Sequence, residues 1–183
     1  MSTPEFDPSR LDVSAFAKVG GRLEGAWTLA QLARLRDLSM PGASSGAPTD
    51  VNWSARGEKR VVRSGEAQVW LHVRAEAALQ LECQRCLSAV EVPLAAERSF
   101  LFVHGEDAAA QLDASSEDDV LALTRALDLP ELIEDELLLA LPIVPRHEVC
   151  PEPLRLTDDL PAAEPEPSPF AALASLKRSG PPG

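Results

Sequence analysis

Residues 68–94 have the sequence QVWLHVRAEAALQLECQRCLSAVEVPL, and their pattern decides the fold. Apolar and polar side chains alternate as far as Cys83, which predicts one long strand or two shorter ones, because successive side chains of a strand point to opposite faces of a sheet. The alternation resumes at Val90 and continues to Leu94. The stretch therefore predicts an antiparallel hairpin with Cys83 and Cys86 at its tip.

Weaker patterns on either side of this hairpin complete the predicted fold. Further strands are predicted at 23–27, 51–63, 99–103 and 120–124. One helix is predicted to begin at Thr28, which has a capping-box spacing to Gln31, and another at Asp128, with Pro130 in its first turn. The strands form a block flanked by helices, so the fold class is α+β: an antiparallel β-sheet with two packed helices and a tethered C-terminal helix.

Composition divides the chain into four parts. An N-terminal segment, 1–20, precedes a single α+β domain, 21–150. Prolines and acids dominate 151–169, which predicts an extended linker, and 170–183 is predicted to contain a short tail helix and the terminus. Within the domain, residues near 104–119 include six acids and no Lys or Arg. That composition predicts a solvated, mobile acidic loop.

The charge balance limits the kind of partner. The 183 residues contain 17 Lys and Arg against 29 Asp and Glu, which gives a net charge of −12. Release of counterions from phosphates supplies most of the affinity of a broad nucleic-acid-binding face, and such a face is normally basic. We therefore expect no DNA contact. Any RNA contact is expected to be local or made through a basic protein partner.

Several features favour a cytoplasmic location. The strongest apolar run, 137–144, is far shorter than the roughly 20 residues that cross a bilayer, so no membrane contact is expected. The N-terminus lacks the basic and apolar regions of a secretory signal. Three cysteines are too few for a disulfide scaffold of this length. The sequence predicts a soluble, reduced, cytoplasmic protein.

Two residue pairs have the spacing of metal ligands. Cys83 and Cys86 are spaced as in a zinc knuckle, and His147 and Cys150 have the same spacing after the second predicted helix. Together they offer three sulfurs and one imidazole, enough ligands for one structural zinc ion. Two alternatives stay open: reduced cysteines in a small core without a cofactor, and a redox dithiol. The dithiol is disfavoured because strand periodicity continues after the turn, so no helix N-terminus lowers the thiol pKa.

Two further groups of residues are candidates for contact with RNA or a partner. The basic candidates are Arg56, Lys59, Arg60, Arg63 and, at the hairpin tip, Arg85. They predict local contact with RNA phosphates, although a run of this kind also suits a solvated strand face. The apolar candidates are Phe170, Leu173 and Leu176, a stripe at helical spacing. This stripe predicts docking of the tail, either on its own domain or in a partner's groove.

Signatures of catalysis are missing from the sequence. It contains no glycine-rich phosphate loop, no nucleophile elbow and no helix with paired metal-binding histidines. Glu134, Asp135 and Glu136 are adjacent on a predicted helix and point in different directions. We therefore expect them to form a solvated face instead of an acid/base pair, and we expect the protein not to be an enzyme.

Four ordered motifs carry a family resemblance. They are LECQRCL at 81–87, a helical segment at 128–142 that ends in LALP, the set Pro145, His147 and Cys150, and PFAALASLK at 169–177. Together they resemble the YceD family, the large ribosomal RNA subunit accumulation proteins, from about the first helix to the tail. The resemblance implies a small, soluble bacterial protein linked to synthesis, processing or stability of 23S ribosomal RNA, with no established enzymatic activity.

The resemblance also bears on partners. Genes of the family often lie beside a gene for a large-subunit ribosomal protein. We therefore expect a non-enzymatic ribosome-biogenesis factor. Its expected partners are a large-subunit ribosomal protein or biogenesis factor, and 23S ribosomal RNA directly or indirectly. The alternative is a zinc- or dithiol-containing module with enzymatic activity on RNA or on redox state.

Overall fold

The computed structural model describes residues 6–40, 50–61, 65 and 67–151. Five strands form one sheet in the order β1-β2-β3-β4-β5. The strands are β1 (Arg22–Thr28), β2 (Asp50–Arg60), β3 (Gln68–Glu82), β4 (Ala89–Val103) and β5 (Asp119–Ala122). The first four pair antiparallel, whereas β5 runs parallel to β4. The predicted α+β class and the predicted hairpin are confirmed.

Four α-helices lie in the described part of the chain. They are α1 (Val13–Lys18), α2 (Ala33–Leu38), α3 (Glu106–Asp113) and α4 (Leu129–Leu139). The capping box at Thr28 is present and begins a 3-10 turn, Leu29–Gln31, and the α-helical part of the helix predicted there is α2, which starts at Ala33. Asp128 caps α4 as predicted, and its carboxylate accepts the backbone N–H of Glu131 at 3.0 Å. None of these described helices is long and apolar enough to span a bilayer.

Three of the helices pack on one face of the sheet. Fully buried side chains of the sheet and of α1, α2 and α4 share one apolar core, which includes Phe16, Leu35, Leu71, Ile133 and Leu137. At Gly57 in β2, a Cβ atom would lie 2.8 Å from the backbone of Ala17, so α1 approaches the sheet this closely only over a glycine. Helix α1 lies within the predicted N-terminal segment 1–20, yet it is part of this core.

Helix α3 packs on the opposite face and corrects the loop predicted near 104–119. Its Ala109 is buried with Trp70, Leu101 and Val120 in a small second cluster. The helix lies between β4 and β5, and this crossover lets β5 return parallel to β4. The sequence did not indicate the helix because Ala109 is its only buried residue, while its acids face solvent.

The acids of α4 are not the solvated face that we predicted. Glu134 and Glu136 are only 6% and 9% exposed. Glu134 accepts hydrogen bonds from the backbone N–H groups of Arg34 and Leu35, at 2.8 and 3.1 Å, and pairs with the Arg34 side chain at 2.9 Å. Glu136 pairs with Arg98 of β4 at 3.0 Å. Helix α4 is therefore attached to α2 and to the sheet by ion pairs as well as by apolar contacts.

The predicted linker 151–169, except Pro151, and the predicted tail helix within 170–183 lie outside the described residues.

Candidate metal centre

The turn between β3 and β4 places two cysteines side by side. The backbone N–H of Cys83 donates to the carbonyl of Ser88 at 2.9 Å, and the N–H of Leu87 donates to the carbonyl of Cys83 at 2.8 Å. Leu87 closes the turn with a positive φ of 61°. This left-handed backbone conformation is uncommon for a residue with a bulky side chain, and it persists only where the surrounding structure holds it.

The segment that follows α4 lies against this turn. The backbone N–H of Gln84 donates to the carbonyl of Pro145 at 2.9 Å. This contact brings His147 and Cys150 to the two cysteines of the turn. The ligand atoms of Cys83, Cys86, His147 and Cys150 all lie within 4.8 Å of one another. The two pairs, whose convergence the sequence could not show, therefore meet in one cluster.

The spacing of this cluster suits a tetrahedral ion. Zn–S bonds of about 2.3 Å and Zn–N bonds of about 2.0–2.1 Å place two sulfurs about 3.8 Å apart, and a sulfur and a nitrogen about 3.5 Å apart. The Sγ atoms of Cys83 and Cys150 are 3.8 Å apart, and Cys86 Sγ is 3.5 Å from His147 Nδ1. Three sulfurs and one imidazole nitrogen thus form a cluster that could bind a metal such as zinc.

Hydrogen bonds and burial shift the pKa values of the residues in the cluster. Burial raises the pKa of Cys83, but backbone hydrogen bonds from Arg85, His147 and Cys86 outweigh it and lower that pKa to about 5. The hydrogen bond to Cys83 raises the pKa of His147, and burial raises the pKa of Cys150. The hydrogen bond with Ser88 lowers the pKa of Cys86 as well. The shifts at Cys83 and Cys86 favour the thiolates that bind a metal, whereas the raised pKa of Cys150 opposes its thiolate. Binding would release protons and strengthen as the pH rises.

The structure separates the predicted basic residues. Arg56 and Arg60 lie on one face of β2, with Glu58 between them, and Lys59 lies on the other face because strand residues alternate. Glu58 forms ion pairs with both arginines, at 3.3 and 3.2 Å, and with His72 at 3.0 Å. The hydrogen bond from His72 lowers the pKa of Glu58. An acid therefore offsets the charge of this pair.

Arg85 lies at the cluster of cysteines and histidine, away from Arg56 and Arg60. Its guanidinium donates to Cys150 Sγ at 2.9 Å and to the carbonyls of His147 and Glu148 at 3.0 and 3.2 Å. Local sequence patterns could not indicate these contacts, because the hydrogen-bond partners are 62 or more residues away. The other predicted contact residues, Arg63, Phe170, Leu173 and Leu176, lie outside the described residues.

This is a small α+β domain in which a hairpin turn and the segment after α4 bring together three cysteines and a histidine, a cluster that could bind a metal such as zinc. The family model of the large ribosomal RNA subunit accumulation protein YceD matches residues 71–177, and the chain belongs to this family. It is similar to the large ribosomal RNA subunit accumulation protein YceD of Haemophilus influenzae, with 31% identity over 159 residues, covering 84% of this chain and 86% of that protein. No solved structure matches the chain. The family resemblance is therefore confirmed.

Proposed function

We propose that this protein is a non-enzymatic ribosome-biogenesis factor that promotes the synthesis, processing or stability of 23S ribosomal RNA. The observation that carries the proposal is membership of the YceD family, whose name gives its members a role in accumulation of the large ribosomal RNA. The net charge of −12 favours action through a basic partner, such as a large-subunit ribosomal protein or another biogenesis factor.

Direct contact with RNA is expected to be less important than contact with a basic protein partner. Arg56 and Arg60 are about half exposed on one face of β2, and each is paired with Glu58. A phosphate that reaches them must compete with that carboxylate. This surface therefore supports local RNA contact and not a broad RNA-binding face.

We also propose that Cys83, Cys86, His147 and Cys150 hold one structural zinc ion. Four protein ligands fill a tetrahedral site, whereas a catalytic zinc keeps one position for water or substrate. The cluster supplies four ligand atoms within 4.8 Å of one another, and two of their separations, 3.8 and 3.5 Å, match tetrahedral zinc. This favours a structural role over the alternative of a zinc- or dithiol-containing enzyme. Reduced cysteines as ligands also suit a cytoplasmic location.

Deletion of the gene tests the proposed function. We expect the ratio of 23S to 16S ribosomal RNA to fall during growth in the deletion strain, and to recover when the wild-type gene is supplied from a plasmid. The reason is the family membership of the chain. Equal ratios in the deletion and wild-type strains would contradict the proposal.

The tail provides a second test in the same strain. If the stripe of Phe170, Leu173 and Leu176 docks as the sequence predicts, Phe170→Ala should restore 23S ribosomal RNA poorly. Burial of a Phe side chain contributes about 1.5–3 kcal/mol, whereas a charge at a helix end contributes only about 0.3–1 kcal/mol. Lys177→Ala, the matched control, should therefore restore the RNA almost fully. Equal complementation by the two variants would contradict a docking role for the stripe.

A further inference from the structure

We propose that Arg85 is a positioning residue of the metal centre, which holds the His147–Cys150 segment in place and sets the donor strength of Cys150. This inference rests on the proposed zinc site. It assigns to Arg85 a role different from the RNA contact that its position at the hairpin tip predicted.

The contacts of Arg85 join two distant parts of the chain. Nε donates to the Sγ atom of Cys150 at 2.9 Å. Nη2 donates to the carbonyl of His147 at 3.0 Å and to that of Glu148 at 3.2 Å. One guanidinium of the hairpin turn thus binds a ligand sulfur and the backbone of a second ligand residue.

Charge gives this arrangement a second function. Three thiolates and a neutral imidazole around Zn²⁺ leave a net charge of −1, because three negative charges meet two positive ones. The guanidinium of Arg85 supplies the compensating positive charge directly at Cys150. A hydrogen bond to a thiolate draws some electron density from the sulfur and so tunes its bond to the metal. Loss of Arg85 would also remove the compensating charge and the hold on the segment, and these two losses should outweigh the stronger donation and weaken zinc binding. Partners of this kind orient the ligands and tune the metal.

The geometry requires arginine specifically. The planar guanidinium presents several N–H donors at fixed angles, and here they reach one sulfur and two carbonyls. Lysine has a similar charge but donates from a single nitrogen, so it cannot reproduce this fork. Arg146 offers a matched control, since it is exposed in the same segment and makes no side-chain hydrogen bond or ion pair with the described residues.

The test compares the full-length wild type with Arg85→Ala, Arg85→Lys and Arg146→Ala, each loaded with zinc. Competition with a chromophoric chelator should show zinc binding weakened about 10- to 100-fold in Arg85→Ala, the range typical of lost outer partners of metal ligands. Arg85→Lys should also bind zinc more weakly than the wild type, since its single ammonium nitrogen cannot make all three hydrogen bonds. Arg146→Ala should match the wild type.

Cobalt substitution separates tuning of the metal from general loosening of the fold. The thiolate-to-cobalt absorption band of Arg85→Lys should be shifted from that of the wild type, because the N–H···S bond to Cys150 is lost. Arg146→Ala should leave the band unchanged. If Arg85→Ala fails to fold, the cobalt spectrum of Arg85→Lys still decides.

Two results would overturn the inference, and they are distinguishable. If the wild type holds no zinc, the proposed metal site fails and the role of Arg85 fails with it. If the wild type holds zinc but both Arg85 variants have its affinity and its cobalt spectrum, the metal site stands and the role of Arg85 is wrong. A drop in 23S ribosomal RNA in such a variant would then indicate contact of Arg85 with RNA.

Discussion

Cys83→Ser is expected to abolish stoichiometric zinc binding and to lower the melting temperature of the protein. Cys83 is fully buried at the end of the hairpin, and its lowered pKa makes it the readiest thiolate of the cluster. Serine has nearly the same size but supplies a neutral hydroxyl, which is a poor zinc ligand. Because a preformed site is absent from the unfolded chain, the free energy of metal binding stabilises the fold.

Elemental analysis of protein purified without chelator measures this effect. We expect about one equivalent of zinc in the wild type and less than about a tenth in Cys83→Ser and His147→Ala. His104→Ala is the matched control, because His104 is exposed and lies outside the cluster. Chelator should lower the melting temperature of the wild type and of His104→Ala but not that of Cys83→Ser. Less than a tenth of an equivalent in the wild type would contradict the proposed site.

The four residues of the cluster could be predicted from the sequence, but their convergence could not. A spacing of two residues between metal-binding side chains is a local property, and it singled out Cys83, Cys86, His147 and Cys150. Their convergence depends on the path of the chain after α4, which brings His147 back across 61 residues to Cys86. Local periodicity carries no information on the route of the chain after α4. The sequence therefore identified the four residues but could not show that they meet.

Local periodicity also explains which elements were predicted correctly. Alternation along most of β3 and at the start of β4 identified the central hairpin, because those parts of the strands bury mainly one face. Only where α3 packs, at Trp70 and Leu101, is the other face buried as well. Helix α1 was missed because six residues are too few to show a helical period. Helix α3 was missed because one buried alanine leaves no apolar stripe.

The partners of charged side chains could not be predicted from local sequence either. The acids of α4 have the composition of a solvated face, yet Glu134 finds its backbone partner 100 residues earlier in the chain. Arg85 has the exposed position of a phosphate contact in the sequence, yet it binds the His147–Cys150 segment. A charged residue is buried or paired according to the tertiary fold, whereas an apolar stripe reports burial directly.

Glu134 provides the second large expected effect, on the free energy of unfolding. Its carboxylate accepts two backbone N–H groups at the start of α2, from Arg34 and Leu35. The side chain is only 8% exposed, so little water is available to replace the carboxylate. Glu134→Ala leaves both donors without their acceptor and removes the ion pair with Arg34. Leaving a buried polar group unsatisfied costs about 1–3 kcal/mol, so we expect a loss of stability of at least that size.

Urea denaturation of Glu134→Ala and Glu131→Ala measures this loss with a matched control on the same helix. Glu131 is exposed and its side chain makes no hydrogen bond with the described residues, so its removal should change the unfolding free energy by only a few tenths of a kcal/mol. Glu134→Gln should fall between them, because its amide oxygen can still accept a backbone N–H. The midpoints should differ while the slope with urea stays the same, as for a change in stability alone. Equal midpoints for Glu134→Ala and Glu131→Ala would show that the contact between α4 and the start of α2 contributes nothing to stability.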